Sequence, residues 1–322
     1  MCRLGGVVLT NRFRTVERYQ QIAEDLLMLL VNMERALGGD GNSITFHYPD
    51  GSYRVIKDHR KANRMFHRFN EIVQNLQDGA IIVQMHARLS TCGPSKYHEN
   101  MHPFEHGAIV GCHNGQIDDQ PIWDMLERVG VFPYSTTDSE AIFAALDTFA
   151  PSLHPTGVQE VLDMLDGTYA ITAVSRKQPN TLFMLAGENP LCYWLDAKRG
   201  EFWYASTPNL LPESLEIPKV KKKGKTWDWK KKAYVESTVT ERDVVELDYG
   251  DGIYVRVDRK KITIEKKDFY ITPAKKYSYG HGYKAWDWDY YDADHGAYDA
   301  WTEEDELAYL DELVQENKKA ER

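Results

Sequence analysis

Cysteine stands at position 2, directly behind Met1. Removing one residue leaves a thiol and a free α-amine on the same residue, with ordinary pKa values near ~8.5 and ~8. A single residue then holds both a nucleophile and the base that activates it, as attack on an acyl carbon requires. Cys2 also reads as an inert residue opening a strand, because small second residues are common. Three further segments carry reactive or ligand-holding groups. They are His86-Ala87-Arg88-Leu89-Ser90-Thr91-Cys92-Gly93, then His113-Asn114-Gly115 after Asn100-Met101-His102-Pro103, and Thr137-Asp138-Ser139-Glu140.

A cysteine at the terminus, an Arg-x-x-Thr-x-Gly turn, a His-Asn-Gly turn and an Asp-Ser-Glu helix start, in that order, resemble the class II glutamine amidotransferases. These belong to the N-terminal-nucleophile hydrolases, and the glutaminase half of glucosamine-6-phosphate synthase is one of them. The resemblance continues through Gly167-Thr168-Tyr169-Ala170-Ile171 and Pro179-Asn180-Thr181-Leu182 to a strand-rich end near Asp258. It implies an α+β fold, the four-layer αββα sandwich of that superfamily, with glutamine as substrate and neither cofactor nor metal.

The resemblance also assigns roles. Cys2 is the nucleophile. Asn114 and Gly115 steady the tetrahedral oxyanion, which needs preorganised donors. Taken alone, Asn114-Gly115 reads as a hairpin turn. Arg88, with Thr91 beside it, grips the α-carboxylate of a free amino acid, a task for a planar bidentate cation; the plain reading of an Arg is a surface ion pair. Asp138 meets the α-ammonium, although the same residues make a helix start, and His113 completes the pocket. The chain departs from the family at Leu89, where many relatives carry an aromatic residue. In Arg35 to Ser43, Asp40 and Ser43 match a family loop while the Arg is out of register.

Composition agrees with one sizeable enzyme domain. At 322 residues and 42% hydrophobic the chain has ample material for a core, and its net charge of −10 argues against nucleic acid as the principal partner. Cys2, Cys92, Cys112 and Cys192 show no Cys-x-x-Cys spacing, which fits a reducing cytoplasm rather than a disulfide framework. There is no signal-peptide pattern and no apolar run of the ~20 residues a membrane span needs. His98, His102 and His106 recur every four residues, but Pro103 breaks any helix that would align them on a metal.

Periodicity predicts a strand over 2–9, an amphipathic helix from Val16 to Arg35, strands Ser43–Tyr48 and Tyr53–Ile56 about an Asp50-Gly51 turn, and a helix from Lys61 to Gln77. Strands follow at 80–86 and 107–112, helices at 120–129, 139–149 and 156–165, and strands at 168–174, 181–186, 191–196 and 201–205. Late short strands span 243–266, with Asp251-Gly252 as a turn. Lys219 to Lys232 holds eight lysines around Trp227 and Trp229; it reads as a solvated insertion, or as a docking patch for an anionic partner. The expected domains are a glutaminase unit at 2–270, an aromatic and acidic linker or tail at 271–302, and a charged helix at 303–322. The expected activity is hydrolysis of glutamine to glutamate and ammonia through a Cys2 thioester, with the ammonia acceptor on a separate synthase chain. A stand-alone γ-glutamyl amide hydrolase and a non-catalytic scaffold are the alternatives; homo-oligomerisation stays open.

Overall fold

Strand β1 (Arg3–Leu9) is buried along its whole length because both of its faces are covered. Val7 and Leu9 pack under helices, while Leu4 and Val8 face a second sheet. The computed structural model describes residues 2–90, 93–94, 96–228 and 233–273, with 220–242 described by their backbone. Thr91 and Cys92, the helix at 303–322 and nearly all of the predicted 271–302 linker lie outside the described residues.

Helix α1 (Val16–Leu37) begins where the Thr15 hydroxyl accepts the Arg18 N–H, and it buries Ile22, Leu26, Leu29, Leu30 and Met33. Strands β2 (Asn42–His47) and β3 (Tyr53–Asp58) form the expected hairpin, with the Asp50 carboxylate accepting the Ser52 N–H. The predicted helix over 61–77 divides into a 3₁₀ segment, Ala62–Arg68, and helix α2 (Phe69–Gln77). The buried residues of the first part, Ala62 and Met65, are three apart, the repeat of a 3₁₀ turn. Strand β4 (Ile82–Ala87) follows, then the short strand β5 (Phe104–His106), absent from the sequence reading, and β6 (Ile109–Ile117). Helices α3 (Gln120–Leu126), α4 (Ser139–Phe149) and α5 (Pro155–Leu162) precede strands β7 (Gly167–Ser175), β8 (Thr181–Ala186), β9 (Cys192–Asp196) and β10 (Glu201–Ala205). Helix α6 (Leu210–Ser214) leads to β11 (Lys219–Asp228), β12 (Ala233–Arg242), β13 (Val245–Glu246), β14 (Asp251–Val257) and β15 (Ile262–Asp268).

One sheet has the order β13-β9-β10-β1-β4-β2-β3, and a second has the order β15-β14-β8-β7-β6-β5. A core cluster built from both sheets (Leu4, Val8 and Phe202 with Cys112, Leu182 and Met184) lies between them. Helices α1, α2 and α6 cover the outer face of the first sheet. Helices α3, α4 and α5 cover that of the second. The result is the αββα layering implied by the resemblance.

Two local expectations change. Asp251-Gly252 is not a turn: Asp251 pairs with Asp268 and Gly252 with Leu185 inside β14. The bend lies just before it, at Gly250 with φ +84°. The Lys-rich segment does not merely connect strands, since β11 and β12 pair with each other as a separate hairpin.

Candidate active site

Cys2 precedes β1 in the middle of the first sheet. The register Arg3↔Ala87 and Leu4↔His86, carried one step outward, sets Cys2 level with Arg88 where β4 ends. The Cys2 thiol lies 3.5 Å from the Leu89 carbonyl and is half-buried. Burial raises its pKa, the Arg88 charge opposes that rise and the Asp138 charge adds to it. Residues far apart in sequence thus meet electrostatically at one sulfur. Cys112 and Cys192 are fully buried, and burial pushes the Cys192 thiol up to about 12. Among the described cysteines, Cys2 alone is less than fully buried.

Arg88 is only 3% exposed, which removes the surface ion-pair reading. Its Nη2 donates to the Gly93 carbonyl at 2.9 Å, and its backbone is clamped between Gly41 and Asp40. The Asp40 carboxylate accepts the Ser90 N–H at 2.7 Å, so this loop residue holds the turn after Arg88. Ser43 is buried on β2, whereas Arg35 is exposed on α1 and takes no part in that loop.

The His113-Asn114-Gly115 segment is not a turn. It continues β6, with Asn114 paired to Ala170 and Gly115 to Tyr169. Gly115 makes this route available: its φ is +150°, and a Cβ there would stand 1.9 Å from the Thr168 carbonyl. Strand alternation puts Asn114 on the same face as Cys112, toward the first sheet. The Asn114 side chain is 0% exposed, and among the described residues neither its Nδ2 nor its Oδ1 has a hydrogen-bond partner. Leaving a buried amide unmade costs about 1–3 kcal/mol. Its backbone carbonyl is held by Asn189 Nδ2 at 2.7 Å, a support that the sequence reading missed.

The ring of His113 lies on the other face. Thr168 O can only accept, at 3.4 Å, so Nε2 carries the proton and Nδ1 accepts the Ser139 hydroxyl at 2.8 Å. Both ring nitrogens are thereby engaged by protein, which puts His113 in contact with the start of α4. Asp138 stands at that start but does not cap it; its carboxylate accepts the Ile117 N–H of β6 at 2.9 Å. Glu140, fully buried, takes the N–H groups of Tyr134 and Ser135 and pairs with His106 at 3.0 Å. Asn100 binds the Thr136 N–H and the Pro94 carbonyl. Glu140 and Asn100 thus fix the two loops flanking the site, and the single sequence cue was Glu140 beside Asp138.

The three evenly spaced histidines part company. His98 is exposed, His102 lies against His86 with tilted rings 3.9 Å apart, and His106 meets Glu140. Among the described residues no three His, Cys, Asp or Glu side chains converge as a metal site.

Gly115→Ala should cost about 3 kcal/mol or more, from an unfavourable φ plus a collision with Thr168, visible as a lower thermal midpoint. Gly130→Ala is the control: φ there is +83°, but a Cβ meets open space. It should cost about 1 kcal/mol.

Residues 86–213 match the family model described as the glutamine amidotransferase domain. Over 128 residues the chain is 30% identical to glutamine–fructose-6-phosphate aminotransferase of Campylobacter jejuni, covering 38% of this chain and 20% of that protein. Over residues 86–213 this chain is thus similar to glutamine amidotransferase domains. The chain is also 22% identical to 7-cyano-7-deazaguanine synthase 2 of Sulfurisphaera tokodaii, over 64% of this chain and 43% of that one. The chain therefore spans less than half the length of these curated relatives. Glutamine phosphoribosylpyrophosphate amidotransferase of B. subtilis aligns in three dimensions with a TM-score of 0.55 at 15% identity, over 84% of this chain and 50% of that one. That match shares the fold. Among the described residues no helix is long and apolar enough to cross a membrane.

Proposed function

We propose that the domain hydrolyses glutamine to glutamate and ammonia through a Cys2 thioester and passes the ammonia to an acceptor enzyme. The observation that carries this reading is the buried amide of Asn114, without a partner among the described residues, on strand β6, whose Cys112 lies within electrostatic reach of Cys2. Once Met1 is removed, the Cys2 α-amine takes the thiol proton and the thiolate attacks the glutamine side-chain carbonyl carbon. Asn114 Nδ2 and the Gly115 N–H hold the resulting oxyanion. The ammonium so formed returns its proton to the departing nitrogen, which leaves as ammonia. Water, deprotonated by the same amine, then cleaves the thioester. Arg88 and Asp138 hold the α-carboxylate and the α-ammonium, with His113 beside them, anchored to the start of α4 by Ser139.

The relatives are named for different chemistry, one for fructose 6-phosphate and the other for a deazaguanine product. The proposal therefore covers the glutamine half of the reaction and names no acceptor. The test is labelling with a diazoketone analogue of glutamine followed by peptide mass spectrometry. The adduct is expected on Cys2 of chain that has lost Met1; an adduct at another residue, or none, overturns the proposal. Arg88→Lys loses the bidentate fork and should raise KM for glutamine about tenfold with kcat little changed. γ-Glutamyl dipeptides, which present the same α-amino and α-carboxylate groups, should release glutamate more slowly than glutamine does.

A further inference from the structure

The β11–β12 hairpin has no part in the site described above. Its strands pair over ten positions, from Lys219↔Arg242 to Asp228↔Ala233, as a two-stranded sheet of their own. At ~3.3 Å per residue, that makes an arm about 33 Å long. Residues 219–242 carry nine Lys and Arg against three Asp and Glu, in a chain of net charge −10. The register sorts these charges. Residues directly opposite share a face, as do alternate residues along a strand. Lys219, Lys221, Lys223, Lys225 and Arg242 therefore occupy one face, with Glu236 the one acid among them. The other face has Lys222 with Asp228 and Glu241. Trp227 and its cross-strand partner Tyr234 lie at the far end of the cationic face.

We infer that this hairpin is a binding arm for single-stranded nucleic acid. A ladder of lysines two residues apart repeats every ~6.7 Å, which tracks a charged backbone, and aromatic residues on the same face offer stacking platforms for bases. A membrane surface fits less well. Insertion needs aromatics beside aliphatic residues, whereas the sequence between the two strands reads Trp-Lys-Lys-Lys. The acidic remainder of the chain repels a polyanion and so confines the contact to the arm.

The test is fluorescence anisotropy of the full chain with a labelled single-stranded oligonucleotide of about 20 nucleotides, titrated across salt concentrations. Affinity should fall steeply with salt. Combining Lys221→Glu, Lys223→Glu and Lys225→Glu should weaken binding at least tenfold and reduce the log–log salt slope by about 0.7 per contact removed. Trp227→Ala should weaken it about fivefold or more, because stacking is lost. The three Lys→Gln changes give a milder form of the same test if charge reversal disturbs the hairpin, and glutamine turnover reports that each variant is folded. No salt-dependent binding by the wild type overturns the inference. So does undiminished binding by the folded lysine variants or by Trp227→Ala. Competition by polyglutamate as strong as by unlabelled oligonucleotide overturns it too, as does preferential binding to phosphatidylserine-containing vesicles.

Discussion

Cys2→Ala is expected to reduce glutamate release to the uncatalysed background while leaving the thermal midpoint within a degree or two of the wild type. The reason is positional. Cys2 precedes β1 and is half-buried, so truncating its sulfur empties no core volume. The same change removes the proposed nucleophile outright. Asn114→Ala should lower kcat by about 10²–10³ with a smaller effect on KM, the usual result of deleting one oxyanion donor. Its effect on stability should be slight or favourable, because the deleted amide has no partner among the described residues. That combination separates a functional amide from a structural one. If Asn114→Ala destabilised the fold and left kcat intact, the residue would be part of the scaffold. If Cys2→Ala kept its activity, the nucleophile would lie elsewhere.

Acid should destabilise the fold steeply below pH ~6.5. His47, His86, His102 and His113 are all buried, and burial is the largest cause lowering the pKa of each. His47 is held at about 4 with its ring bonded to Gln84 at 2.7 Å, and His86 at about 3 beside Arg88 and His113. These groups are neutral in the fold, while in the unfolded chain they gain protons near pH ~6.5. Their contribution is therefore complete above pH ~6.5 and declines as the pH falls toward the folded-state values. Each costs about 1.4 kcal/mol per pH unit within that window, so His47 and His86 together remove about 4 kcal/mol between pH 6.5 and 5. Urea unfolding at pH 7 and pH 5 reads this directly. His47→Gln should flatten the pH dependence by about one proton. A stability flat from pH 7 to 5 would show that these rings are protonated in the fold.

Much of the scaffold was legible because periodicity survives without neighbours. The α1 prediction of Val16 to Arg35 agrees with Val16–Leu37, since one apolar side repeats over many turns. The run at 80–86 fell close to β4 because a strand covered on both faces reads as continuous hydrophobicity. Local chemistry misled where partners outvoted it. Asn114-Gly115 has the best short-range turn signal in its region, yet β7 pairs across it and holds it extended. Asp251-Gly252 failed in the same way, through its pairing with β8 and β15. Asp138 looked like a helix cap, but its carboxylate went to Ile117 of a neighbouring strand.

The order of residues announced which chemistry was on offer: a cysteine at position 2, an arginine leaving a buried strand, an amide beside a glycine and a carboxylate at a helix start. Residue type and local spacing carry that information, because nucleophilicity, bidentate charge and backbone freedom are properties of single residues. That these groups belong together came from the folding of the chain. Cys2 meets Arg88 through the β1–β4 register, and Asp138 reaches β6 across layers. Folding also decided that the Asn114 amide is left without a partner among the described residues, and that Lys219, Lys221, Lys223 and Lys225 pair into a ribbon that puts Arg242 on their face. Pairing and burial are relations between distant segments, and no window along one chain contains them.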